Sequence, residues 1–235
     1  MFGLKEKYKG FPTLFEKYDR LVIFDTETTG LRYRNDQIIE FAAVVIEKNK
    51  GIVKEFDKLI QLDPGTRIPD QIVELTGITN EQVAAEGISK VHLRAHLHDI
   101  LGDPRPTLLL AYNAHFDLCF TYWLLQQDRL VFLLRDKDKI DLLTVFKDRH
   151  SYPHKLKNAI EAYNLQDKVQ NSHRAIDDVL ATVAVMEEMV KEKDDLLNYV
   201  NLFGYNPKYG PPRPAIRSIT YKPQPYDPIK PLYED

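Results

Sequence analysis

In the stretch LVIFDTETTG, residues 21–30, four apolar residues lead straight into Asp25 and Glu27. Strand side chains alternate faces, so residues two apart share one. Two carboxylates on one face, ending a run that wants burial, repel each other unless a cation sits between them. Acids recur in two further stretches. In YNAHFDLCF, 112–120, Asn113 sits where it can cap a helix and Asp117 falls in the first turn. In HRAIDDVLAT, 173–182, His173 and Asp178 stand at the mouth of the last helix. Residues five apart on a regular helix point about 140° apart. Joint action therefore requires His173 to lie on the loop before the helix, with Asn171 or Ser172 starting the transition. Hard divalent cations prefer carboxylate oxygens, and two of them about 3.5–4 Å apart can clamp the attacking and leaving oxygens of a phosphodiester.

The elements that must position these groups can be read along the chain. LVIF is a buried strand that the two carboxylates end. QIIEFAAVVIE (37–47) is a long, mostly apolar, central strand, and IVKEFDKLIQL (52–62) alternates as its partner across the turn KNKG. Three consecutive antiparallel strands therefore open the chain. IPDQIVELTGIT (68–79) predicts a short helix stopped at Gly77, and residues 80–102 a helix interrupted at Gly87. PTLLLAY (106–112) is a buried strand. AHFDLCFTYWLLQQ (114–127) is an amphipathic helix with a Phe/Leu/Trp face. Helices follow over 141–150, 155–165 and 175–193, the last with apolar residues at 176, 179, 180, 183, 186 and 190.

The 235 residues suffice for one domain with a full core. Apolar content of 43% and charged content of 29% are those of a soluble globular protein. A net charge of −3 gives no bulk attraction to nucleic acid, so such a partner needs a local patch or bound metal. The one cysteine, Cys119, fits a buried, inert thiol in a reducing cytosol. No apolar run is long enough for a signal peptide or a membrane span, so the expectation is a cytoplasmic protein without a membrane partner.

Taken together, FDTETTG, YNAHFD and HRAIDD resemble the three motifs of the DEDDh exonuclease family, whose best-known member is the proofreading subunit of bacterial DNA polymerase III. IPDQIVELTGIT is also similar to the segment after the third strand in that family, and the resemblance covers roughly residues 18–192. It implies an α/β, ribonuclease-H-like fold with a mixed five-stranded sheet flanked by helices. It also implies two divalent cations, Mg2+ or Mn2+, held by Asp25, Glu27, Asp117 and Asp178. Asp25 bridges both, Glu27 and Asp178 hold the nucleophile-side ion, and Asp117 holds the other. His173 is the general base, a role that suits a side chain titrating near pH 6.5. The family pattern of four residues between His and Asp selects Asp178 over Asp177. The implied activity is removal of nucleoside 5′-monophosphates from a single-stranded 3′ end, DNA ahead of RNA.

Other residues carry weaker expectations. Thr26, Thr28, Asn113, His115 and Arg174 are candidates for contact with substrate, and Leu31 and the LTGI segment for an apolar wedge against the last base. Lys155 and Lys157 are further candidates for phosphate contact, and His154 lies near substrate or on the surface. Glu40 interrupts an apolar strand, either as a group supporting the site or as a tolerated edge charge. Tyr112 departs from the histidine common at its position in the family, which is not a ligand position. Two other readings differ in kind. A non-catalytic polymerase-associated module would be expected to lack one of the five motif residues, and an endonuclease of the same fold would lack His173.

Composition changes near residue 201. Residues 1–200 read as the exonuclease domain, and residues 201–235 as a tail that holds eight of the 14 prolines and five tyrosines. The tail is aperiodic, excluding a helix or a central strand. Its tyrosines, Ile216 and Ile219 are expected to dock on the domain; the alternative is an arm for a polymerase subunit or sliding clamp. YVNLF (199–203) faintly resembles a clamp-binding peptide without its leading Gln, and a helix end is the preferred reading.

Overall fold

LVIF does seed the centre of a sheet, but the strand does not stop where the acids begin. The computed structural model describes residues 10–169, 172–226 and 229–234. After a short α1 (Leu14–Lys17), β1 runs Arg20–Thr28, so Asp25 and Glu27 lie inside it rather than at its end. They are held there because β2 (Ile38–Glu47) pairs antiparallel along the whole of β1. Next, β3 (Gly51–Leu59) pairs antiparallel with β2. Three helices come after it: α2 (Asp70–Thr76), α3 (Asn80–Glu86) and α4 (Lys90–Leu101). Gly77, at φ 71°, ends α2 in the left-handed conformation that glycine adopts at no steric cost.

The chain then crosses over to β4 (Thr107–Ala111), parallel to β1, and on through α5 (Ala114–Gln126) and α6 (Phe132–Arg135) to β5 (Asp138–Asp141), parallel to β4. The sheet order is β3-β2-β1-β4-β5, the expected mixed five-stranded sheet. Helices α7 (Leu142–Arg149), α8 (Leu156–Ala162) and α9 (Ala175–Glu192) complete the layers. Leu21, Ile23, Ala42 and Val44 pack on one face against Val179, Val183 and Met186 of α9. Val22, Phe24, Phe41 and Ala43 pack on the other against Leu97 of α4 and Leu118 of α5. No helix among the described residues is long and apolar enough to cross a membrane.

Two helices depart from their sequence patterns. Trp123 turns outward from α5 and is 37% exposed, while Phe120 and Leu124 point in. α9 is buried beyond its apolar stripe, at Ala181, Ala184, Val185 and Met189 as well, because further apolar groups from α7, α8 and residues 196–199 share its core.

The C-terminal segment docks through Ile216 and Ile219 as expected, but Tyr209 and Tyr226 stay exposed, and it forms structure that its composition did not suggest. A 3-10 turn (Leu196–Tyr199) leads into β6 (Leu202–Tyr205), which pairs in parallel with β7 (Thr220–Pro223). Phe203, Ile216, Ile219 and Leu232 are buried, each worth roughly 1.5–3 kcal/mol once out of water. Buried Gln224 donates to the carbonyl of Thr144 at 2.9 Å and to Asp148 at 2.5 Å. Gly204 is required there, since a Cβ would lie 2.0 Å from the Gln224 oxygen. At the margin of the sheet, Asn201 donates its N–H to the Lys139 carbonyl at 2.7 Å, and its side-chain oxygen accepts the Lys139 N–H at 2.9 Å. Tyr199 and Phe203 are both core residues, so YVNLF is not presented to a clamp.

Candidate active site

β1 presents Asp25 and Glu27 on the α9 side of the sheet, in line with Leu21 and Ile23. Directly across the ladder from Glu27 stands Glu40 of β2. Like charges opposed in this way destabilise a sheet. Glu40 is fully buried, and its charge is met by Arg174, whose Nε and Nη2 donate to Oε1 at 2.9 and 2.5 Å. Its other oxygen accepts the N–H of Ala175 at 2.8 Å. Glu40 is therefore no edge charge: it pins the start of α9 to β2. Arg174, expected at a phosphate, has two of its nitrogens occupied by this pin.

The pin sets the two residues that flank it. His173 sits on the loop before α9, as the spacing required, at φ 56°, a left-handed conformation costing a non-glycine residue roughly 1–2 kcal/mol. Asp178 lies in the first turn of α9 and is buried. Ligand atoms of Glu27, His173 and Asp178 lie within 4.8 Å of one another. Asn171 lies outside the described residues. The helix is entered at Arg174, and the Ser172 hydroxyl donates to Asp177 instead.

Asp117 arrives from α5 and is 2% exposed. It accepts the Thr26 N–H at 3.0 Å and the Thr26 hydroxyl at 2.7 Å. Thr26 is on the opposite face of β1 from Asp25, so its hydroxyl orients an acid rather than facing a nucleotide. Thr28 likewise donates to the carbonyl of Gly30. Burial pushes the Asp117 carboxyl up to about 7. Burial, then Asp178, Glu40 and Asp117, push Glu27 up to about 8. Asp25 is raised well above the usual carboxylate range by burial, then by Asp117, Glu27, Asp178 and Glu40. Acids that burial and mutual repulsion keep protonated toward neutral pH, with three donor atoms already converged, are a donor set suited to hard divalent cations. Asp25 and Asp117 are outside the converged trio but within its electrostatic reach.

Several expected contacts lie elsewhere. Asn113 enters α5 at φ 68° without a side-chain cap, and Asp141 at the end of β5 accepts the Ala114 N–H at 3.0 Å in its place. His115 turns toward the C-terminal segment, with its Nδ1 2.9 Å from the Tyr221 hydroxyl and its Nε2 3.4 Å from Cys119. His154 is buried beside Phe146, and its carbonyl accepts the Tyr112 hydroxyl at 2.7 Å. Lys155 and Lys157 stand exposed at the start of α8. Leu31 is 83% exposed beyond β1, whereas in LTGI Ile78 is buried and Leu75, 50% exposed, is the open apolar side chain. Asp57 of β3 was not singled out by sequence: its carboxyl is raised by burial, then by Glu40, and one oxygen is buried without a partner among the described residues. Its alternating strand gives no hint of that.

Comparison with known proteins accords with this geometry. The exonuclease family model matches residues 22–186. A DNA polymerase III of the PolC type from Clostridium perfringens is 32% identical over 193 residues, 81% of this chain and 12% of that protein. The PolC-type polymerase of Bacillus subtilis is 29% identical over 194 residues, 81% of this chain and 13% of that one. The chain thus spans about an eighth of the length of these relatives. Among solved structures, E. coli Exonuclease I in complex with a dT13 oligonucleotide superposes with a TM-score of 0.68 at 21% identity, covering 77% of this chain and 43% of that one. Exonuclease I from Methylocaldum szegediense gives 0.67 at 20% identity, covering 77% and 42%. The fold is that of the ribonuclease-H-like exonucleases, and the chain belongs to the exonuclease family, in its DEDDh-type 3′→5′ branch.

Proposed function

We propose, with membership of the exonuclease family as the premise, that this protein trims single-stranded DNA from its 3′ end in a divalent-cation-dependent reaction. The convergence of Glu27, His173 and Asp178 beside Asp25 and Asp117 carries the reading. Asp25, Glu27, Asp117 and Asp178 would hold two cations, Mg2+ or Mn2+. Such ions, when bound, offset charge on the phosphodiester and acidify a water. His173 accepts the proton of the attacking water. Thr26 orients Asp117, and the Glu40–Arg174 pair fixes where His173 and Asp178 stand. Leu31 separates the terminal base from its neighbour. DNA is favoured over RNA because the curated relatives are DNA polymerases and the Exonuclease I structures hold deoxyoligonucleotides. The same likeness supports work alongside a polymerase in the cytoplasm, with residues 1–200 as the catalytic unit and residues 201–235 as a segment docked on it.

The test is digestion of a 5′-labelled single strand, DNA and RNA in parallel, with Mg2+ or Mn2+ against chelator. A metal-dependent ladder shortening from the 3′ end of DNA is expected. Internal cuts, or activity indifferent to chelation, overturn the reading; RNA trimmed faster than DNA overturns its sugar preference.

A further inference from the structure

On the side of α5 turned away from Asp117 lies a groove of about 500 Å³. Cys119, Tyr122, Trp123 and Gln126, three, four and seven residues apart, form its floor along one helix face. One wall is Tyr33 and Arg34, from the loop that extends beyond Leu31. The opposite wall is Pro214 to Ser218 of the docked C-terminal segment. Aromatic rings and guanidinium groups alternate around it. Tyr33 and Trp123 meet edge to face at 6.0 Å, and the Arg34 guanidinium lies 5.6 Å from the Tyr33 ring and 5.9 Å from that of Trp123. Arg135 and Arg217 complete a set of three arginines, and no acidic side chain lines the groove among the described residues. Arg135 is paired with Asp136, but neither Arg34 nor Arg217 has a carboxylate partner among the described residues. In a chain of net charge −3, an acid-free pocket with three arginines is a local exception.

We propose that this groove is an auxiliary binding track for single-stranded nucleic acid, holding nucleotides upstream of the 3′ end that enters the acid cluster. The proposal rests on the single-strand exonuclease reading for its ligand. Aromatic faces that stack bases, beside cations that meet phosphates, are what sequence-tolerant single-strand sites need. An apolar peptide would use the rings but leave the unpaired guanidinium groups unanswered. Continuity with the reaction site supports the same occupant. α5 carries Asp117 on one face and the groove floor on the other, and Asp117 to Gln126 is about 14 Å along the axis. The loop carrying Leu31, Tyr33 and Arg34 follows β1, so a strand crossing Leu31, as proposed for the terminal base, would meet Tyr33 and Arg34 next. The C-terminal segment, on this account, builds one wall of the track.

Trp123 is the only tryptophan in the sequence, so its fluorescence reports the groove. The protein is titrated with dT16 and, in parallel, rU16, in chelator so that nothing is cut. Saturable quenching by either strand is expected. The exposed pair Arg34→Ala/Arg217→Ala should weaken binding about tenfold and make the dependence of log affinity on log salt shallower by about 1.4, near 0.7 for each lost phosphate contact. Anisotropy of a 5′-labelled strand gives the same readout without relying on Trp123. No quenching by either strand, or a double variant that binds with unchanged affinity and salt slope, overturns the groove. Trimming without quenching would overturn the groove alone, and quenching without trimming would support it while overturning the proposed activity.

Discussion

The pair formed by β1 and β2 carries ionisable groups at both ends, and the two ends are opposites. At one end Arg20 of β1 faces Glu47 of β2; at the other Glu27 faces Glu40. Glu47 accepts from Arg105 at 2.6 Å and from Lys50 at 2.8 Å, and these bonds pull its carboxyl down to about 2. Arg105 also donates to Asp103, which is held below the usual carboxylate range. At the far end, Arg174 satisfies Glu40 alone, and Glu27 is pushed up to about 8. The same two strands thus hold one acid group compensated by protein cations and another left short of positive charge. Folding explains the first. The second is a standing cost that the proposed bound cations would offset.

This contrast can be broken most decisively at Asp25. Asp25→Ala should lower turnover on the order of 10³-fold or more, since on the proposed reading Asp25 would help hold the cations, whose charge stabilisation is worth several kcal/mol. Its metal-free melting temperature should hold or rise, because a repelling charge is gone; a clear fall would assign Asp25 to folding instead. His173→Ala should cost on the order of 10²–10⁴ in rate and flatten the neutral limb of the pH profile. Retention of that limb would move the base elsewhere. Glu40→Gln, which loosens the pin on α9, should cost roughly 10–100-fold. Added to His173→Ala it should cost much less than it does alone, since both act on one geometry. A full additive loss would mean that Glu40 acts independently of the His173 loop.

The compensated end sharpens the comparison with smaller effects. Arg105→Ala should leave turnover unchanged and lower the melting temperature only slightly, the Arg105 side chain being partly in water. The two ends should also respond to pH with opposite sign. Glu47 titrates near 2 in the fold against an ordinary 4.5, so its stabilisation is complete above about 4.5 and is lost as pH falls through 2. Glu27 titrates near 8, so the metal-free protein is favoured below about 4.5 and loses that stability as pH rises through 8. Melting curves from pH 5 to 9 should show this fall in chelator and its suppression by Mg2+. An identical slope in both would remove Glu27 from the cation site.

The convergence of Glu27, His173 and Asp178 was legible because each stretch carries a local signal: acids two apart behind an apolar run, a helix first turn, a loop entering a helix. The antiparallel opening and the buried fourth strand were legible from apolar runs. What escaped was decided by partners far along the chain. β5 is four residues, DKID, three of them charged, with no period to read. Glu40 looked ambiguous because Arg174 lies 134 residues away. Thr26 and Asn113 sat in the right motifs, but their employment depends on Asp117 and Asp141, which only the fold brings beside them. The C-terminal segment docks through separated anchors such as Phe203, Ile219 and Gln224, and spacing of that kind leaves no periodic trace.

The bonds between Asn201 and Lys139 bear on how copies of the protein behave toward one another. β5 is the last strand of its sheet, with a free side that would ordinarily template a foreign strand. Asn201 fills both backbone positions of Lys139 there with its own N–H and its amide oxygen, a single residue standing in for a neighbouring strand. The other margin, β3, carries Glu55 and Lys58 toward solvent, and their mixed charges oppose sheet extension. Neither border therefore offers a growing aggregate an easy place to start.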